Sequence, residues 1–165
     1  MTDSLRRRTA LQAGGGAALL SWLPSLRAQS QSAAERPGWP AWEAFKAQFI
    51  NAGGRVISDD AGGGQPCSEG QAYALFFALV ANDRAAFDKL LRWTENNLCD
   101  GDLTARLPAW LWGKRPDGSW GVIDSNAASD ADLWIAYALG EAGRLWNVRS
   151  YRALSALLAA RILRE

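Results

Sequence analysis

Two stretches of this chain, about sixty residues apart, share one pattern. "ANDRAAFDKLL" (81–91) and "LWNVRSYRALSALL" (145–158) each pass from a break through an arginine and an aromatic residue into leucines. A helix patterned in this way carries an apolar face that it cannot bury alone. Its recurrence therefore calls for helical hairpins stacked on one another.

The spacing of apolar residues fills in the elements around that repeat. Trp42, Phe45 and Phe49 recur at helical intervals after Trp39 and Pro40, and Gly53-Gly54 stops that first helix. "RVISDDAGGGQP" (55–66) has too much glycine and aspartate to be other than loop. Tyr73, Phe76, Phe77 and Val80 line one face of a helix predicted over 69–81, with the break at Asn82-Asp83. A second helix over 84–98 turns Phe87, Leu90, Leu91 and Leu98 inward. An irregular excursion follows, "DGDLTARLPAWLWGKRPDGSWGVIDSN" (100–126), in which Pro116-Asp117-Gly118 is the turn between two short runs that pair as a hairpin. Helices return over roughly 129–145 and 148–164, parted at Trp146-Asn147. The expected class is all-α, with about five helices and one loop or hairpin excursion.

Composition narrows the chemistry. The 165 residues include nine tryptophans and no histidine, which removes imidazole bases, Ser-His-Asp and Cys-His arrangements and histidine-ligated zinc. Carboxylates are the acid–base groups left, and nothing calls for a metal or cofactor. Residues 29–165 carry 14 basic and 16 acidic side chains, so no basic surface is left to displace counterions from a nucleic-acid backbone. The amino terminus, with Arg6-Arg7-Arg8 before Thr9-Ala10-Leu11 and a glycine-diluted apolar run to Leu23, reads as an export signal of the twin-arginine kind over 1–28. That run is short of the ~20 apolar residues that span a bilayer, so no stable membrane insertion is expected after cleavage. A polar linker over 29–38 and a domain over 39–165 follow. Export leads to a periplasmic or secreted location, where Cys67 and Cys99, at the same end of the expected hairpin, either bridge or remain two free thiols.

Three sets of residues could carry chemistry. Glu69 follows Ser68 at the mouth of an apolar helix. Ser68 with Gln71 makes an S-x-x-Q capping box, and an acidic first turn complements the helix dipole. Spacing alone leaves open whether Glu69 is helix-start chemistry or a proton donor. A helix start favours the ionised carboxylate, whereas a general acid must hold its proton, so burial or a second carboxylate would have to prevail. Asp130 and Asp132 crowd the start of the fourth helix behind a possible Ser129 cap. Two residues apart, they point in different directions, so at most one faces a cleft shared with Glu69. Trp110, Trp112 and Trp120 fall in the excursion, where indoles either pack over helix ends or offer flat faces to sugar rings. Two carboxylate sites, a tryptophan-rich loop and no histidine favour glycoside hydrolysis, in which two acids flank the bond.

The same segments resemble glycoside hydrolase family 8. "ASDADLWIAYALGEAGRLW" (128–146) is similar to the family signature over its full length, "SEGQAYALFFALVANDRAAFDKLLRWTENNL" (68–98) to its acid-bearing segment, and "LPAWLWGKRPDGSW" (107–120) to the loop between them. The resemblance implies an (α/α)6 toroid of helical hairpins, incomplete in this chain, around a cleft for a β-1,4-glucan chain that is hydrolysed with inversion. It implies Glu69 as general acid, Asp130 as the aspartate that holds the sugar and helps place the water, and Trp110 as a stacking position; Trp112, Trp120 and Asp132 stand beside these as candidate substrate contacts from the residues themselves. The family's base comes from a later segment, so these residues alone are expected not to hydrolyse glucan. Components of a cellulose-export apparatus are the expected protein partners. Two other classes stay open: a non-catalytic glucan-binding or scaffolding component of that apparatus, and a helical-repeat interaction protein without a sugar site.

Overall fold

The computed structural model describes residues 38–57 and 66–165. The expected export signal, the linker up to residue 37 and most of the 55–66 loop lie outside the described residues. In chain order the elements are α1 (Pro40–Phe49), α2 (Ser68–Val80), α3 (Arg84–Leu98), β1 (Ala109–Lys114), β2 (Trp120–Ala127), α4 (Ser129–Leu145) and α5 (Arg149–Ile162). None of these helices is long and apolar enough to cross a membrane.

Two antiparallel pairs, α2 with α3 and α4 with α5, lie side by side with α2 against α4. Their corners are built alike. Asn82 and Asn147 both take the left-handed conformation (φ 56° and 55°) that asparagine tolerates better than most residues. The next residue then donates back across the end of the helix, Asp83 N–H to Ala78 O at 2.8 Å and Val148 N–H to Gly143 O at 3.1 Å, the bond of a Schellman closure. Trp146 joins the two corners by donating its indole N–H to the Asn82 side chain at 2.7 Å. The repeat seen in the sequence is thus a repeat of backbone geometry.

Phe87, Leu90, Leu91 and Leu98 of α3 are buried as expected, with Leu75, Ile135, Leu139 and Leu158 completing the core. On α2 the structure shows that the face read from spacing is not the core face. Tyr73 and Val80 face outward, Phe76 is half-buried beside Trp134 of α4, and Phe77 reaches Phe45 of α1. The core face of α2 is Gln71, Ala72, Ala74, Leu75, Ala78 and Leu79. Apolar around most of its girth, α2 has neighbours on several sides, and periodicity is weakest where a helix is surrounded. The alanines let α4 approach closely.

Gln71 fastens this face. Its carbonyl accepts from Val56 N–H at 2.6 Å, and its amide donates to Gly54 O at 3.2 Å and Thr94 Oγ1 at 3.1 Å. One buried side chain thereby ties α2 to α3 and to the segment after α1, and the expected capping box does not form. Gly54 has φ +95°, and a Cβ there would stand 2.5 Å from the Lys89 carbonyl oxygen, so the contact admits only glycine. A second network ends at Asp83, which caps α3 through Ala86 N–H at 3.0 Å and also accepts from Trp42 Nε1 at 3.1 Å and Lys46 Nζ at 2.7 Å. The excursion is an antiparallel hairpin with bulges on either side of Leu111. It turns at Pro116-Asp117-Gly118, as the sequence predicts, with Gly118 N–H on Arg115 O at 2.9 Å.

Candidate active site

Glu69 stands in the first turn of α2. Cys67, not Ser68, precedes the helix, because Cys67 is held extended by a bridge to Leu111 of β1. Ser68 is therefore helical, and its hydroxyl turns to Glu69 Oε2 at 3.3 Å. The other carboxylate oxygen, Oε1, accepts the Trp110 indole N–H at 3.0 Å. The bridge and that indole bond place the hairpin over the start of α2, with Trp110 still 40% exposed.

Asp130 begins the neighbouring helix. Ala128 is the residue before α4 and no side chain caps it, so the expected Ser129 cap is absent. Asp130 is exposed, and the Tyr73 hydroxyl comes within 3.5 Å of its Oδ2. Tyr73 lies one turn beyond Glu69 on α2, and this i, i+4 relation puts both on one face of the helix. Glu69, Tyr73, Asp130 and Trp110 thus gather at the shared end of α2 and α4. Sequence reasoning placed Tyr73 on a helix face without naming it as a site residue; its spacing from Glu69 was the available signal.

Asp130 and Asp132 part as their spacing requires. Asp132 is only 1% exposed, and its Oδ1 has no hydrogen-bond partner among the described residues. Burial pushes its carboxyl up to about 7, and the charges of Asp130, Glu165 and Glu69 push the same way. Near neutrality this buried acid is only partly ionised, close to half-buried Glu69 and exposed Asp130. Trp112 and Trp120 do not join Glu69; they stack on each other with centroids 5.1 Å apart. Cys67 and Cys99 are both free thiols, and burial pushes Cys99 up to about 12, so it is inert at neutral pH.

Comparison with known proteins identifies the family. Residues 17–165 match the profile of glycosyl hydrolases family 8. The endoglucanase of Escherichia coli O157:H7 is 55% identical over 127 residues, which is 77% of this chain and 34% of that protein. Among solved structures, an endo-1,4-D-glucanase from Vibrio fischeri ES114 superposes with a TM-score of 0.74 at 60% identity, covering 76% of this chain and 36% of that one. Endoglucanase Cel10 of Klebsiella pneumoniae, a family 8 glycosyl hydrolase, gives 0.64 at 39% identity, over 73% and 37%. The chain spans about a third of the length of these relatives, and its paired helices make up part of the (α/α)6 barrel that they share. By profile, by sequence and by fold, the chain belongs to glycosyl hydrolases family 8.

Proposed function

We propose that this chain carries the acid side of an endo-acting β-1,4-glucanase site that works with inversion. The observation that carries the reading is that Glu69 and Asp130 stand at the starts of adjacent helices, with the Trp110 indole on the Glu69 carboxylate and Tyr73, one turn from Glu69, reaching Asp130. Glu69 delivers the proton to the departing glycosidic oxygen. Asp130 holds the sugar at the cleavage point and orients the attacking water, and the exposed Trp110 offers its ring to a neighbouring glucose. Asp132 completes the acidic end of α4 behind them.

Inversion requires a second carboxylate about 6.5–9.5 Å from the acid, with water between. We assign that base to none of the described residues, and the chain alone is expected to release no reducing ends from cellulose. We also infer export to the periplasm or beyond through residues 1–28, where the enzyme would meet an emerging glucan and the proteins that extrude it.

The test supplies the missing base. Residues 39–165 replace their counterpart in the Vibrio fischeri glucanase, and the chimera is assayed on soluble cellulose derivatives with the product anomer read by NMR. Glu69→Gln is expected to lower turnover by about 10³-fold or more while glucan binding persists, and Asp130→Asn by at least ~10². An active chimera that tolerates Glu69→Gln within tenfold, or that yields the retained anomer, would refute the assignment.

A further inference from the structure

Trp110 and Trp112 are two residues apart, and a regular strand would put both indoles on one face. The hairpin register shifts on either side of Leu111, and the two indoles part. Trp112 packs on Trp93 and Trp120, whereas Trp110 turns to Glu69. Bulges beside active sites commonly re-aim a side chain in this way. Two main-chain contacts then hold β1 against the residues just before α2: Leu111 bridges Cys67, and Trp112 N–H donates to Pro66 O at 3.2 Å. Glu69 and Trp110 are thus carried by two segments already tied to each other, and the indole N–H meets Glu69 Oε1 at 3.0 Å from a supported position.

That bond is chemically one-sided. An indole N–H donates and never accepts, so Oε1 is always the acceptor. Because a carbonyl oxygen accepts better than a protonated one, a neutral Glu69 held in this way keeps its carbonyl at Oε1 and its proton at Oε2. The Ser68 hydroxyl, 3.3 Å from Oε2, can donate or accept and so fits that oxygen in both protonation states. Once the proton has gone the indole bond becomes charge-assisted, roughly twice as strong as one between neutral groups. Its hold on the carboxyl therefore grows as the proton leaves, which is the moment at which an acid catalyst gains from it.

We propose that the Trp110 N–H is a positioning group for the acid step: it holds the Glu69 carboxyl by Oε1 and leaves Oε2 to carry the proton to the glycosidic oxygen. The inference rests on Glu69 being the acid of the function proposed above. The proton passes from Oε2 to the departing oxygen as the C1–O bond breaks, its electron pair staying on that oxygen. Water adds at C1 and yields its own proton to the base, which is assigned to none of the described residues. This role is distinct from stacking a sugar on the ring, and Trp110→Phe separates the two because it keeps an aromatic face and loses the donor.

The test compares two substrates in the same chimera, the β-cellotriosides of phenol and of 2,4-dinitrophenol. Phenoxide needs a proton in order to leave, and dinitrophenoxide does not. Trp110→Phe is expected to lower kcat on the phenyl substrate about tenfold more than on the dinitrophenyl one, in the direction of a larger split in Glu69→Gln, and to add no further split when combined with it. Equal losses on both substrates in Trp110→Phe, with Glu69→Gln still split, would overturn the positioning role and leave Glu69 as the acid. No split in Glu69→Gln would overturn both. A second measurement, on the full ¹⁵N-labelled chain, needs no turnover: the Trp110 indole N–H signal is expected to move with pH and to lose that dependence in Glu69→Gln. An unchanged dependence in that variant would overturn the bond, and the proposal with it, whether or not the chimera is active.

Discussion

Asp132 and Asp83 are both acids in partly apolar surroundings, and their partners give them opposite pH behaviour. Asp132 is buried, its Oδ1 has no donor among the described residues, and its folded-state affinity for a proton is raised. Between about pH 4 and 7 the folded chain binds more protons than the unfolded one, so this group makes stability fall as pH rises through that window. Asp132→Asn is expected to be more stable than the parent at pH 8, by up to roughly 4 kcal/mol at ~1.4 per tenfold in proton affinity, and no more stable at pH 4. Thermal melts at the two pH values check this; an equal effect at both would sink it. At Asp83 burial also opposes the charge, but Lys46, the Ala86 N–H and Trp42 outweigh it, and the carboxyl sits below its ordinary range. Its contribution is present above that range and lost as pH falls through it. Asp83→Ala removes a cap and leaves the buried Trp42 N–H without its acceptor, at about 2–3 kcal/mol by chemical denaturation at pH 7. Asp83→Asn, which can still cap, should cost less. None of this was legible from spacing: Asp83 reads as a helix break, and its partners Trp42 and Lys46 arrive from another element.

The helices were legible, within a few residues at each end, because their breaks are marked by Asn82-Asp83 and Trp146-Asn147 and their inner faces on α3 by leucines. Their caps were not, since a cap depends on what holds the preceding residue. Cys67 is fixed by Leu111, and no local pattern records that. Packing between α4 and α5 is set by glycine. A Cβ at Gly143 would fall 2.5 Å from Arg152 Cγ and 2.8 Å from its backbone nitrogen. Gly143→Ala is thus expected to destabilise by about 1–2 kcal/mol, the clash exceeding the gain in helix propensity. At Gly140 the nearest atom is the Ser155 hydroxyl at 3.0 Å. Because that hydroxyl can yield only by straining its 2.7 Å bond to Ala136 O, Gly140→Ala should cost something in the same denaturation experiment but less than Gly143→Ala, and equal losses at both sites would refute the account.

Across the whole molecule, small residues face the core of α2 while large aromatics face out. Leu133 and Tyr137 are 57% and 53% exposed, beside half-buried Phe76. The double variant Leu133→Gln, Tyr137→Gln should therefore shift unfolding free energy by no more than about 0.5 kcal/mol, against about 2–5 for Leu139→Ala in the core. Costs of similar size would mean that the inside and outside of this face had been exchanged. The acid-bearing helix starts and Trp110 could be named from the sequence through the resemblance, whereas the division of the tryptophans into two clusters could not. The bulges beside Leu111 interrupt the alternation from which the direction of Trp112 would have been read.

The bond from Trp146 to Asn82 also limits how this stretch of the family can change in length. Because two matched corners are clasped across the hairpins, an insertion or deletion inside α3 or α4 would rotate one corner past the other. Gains and losses of residues would be accommodated most easily in the excursion at Pro116-Asp117-Gly118, where the turn is exposed. Gaps in an alignment of relatives should gather there, and an epitope or affinity tag spliced into that turn should leave the clasp intact.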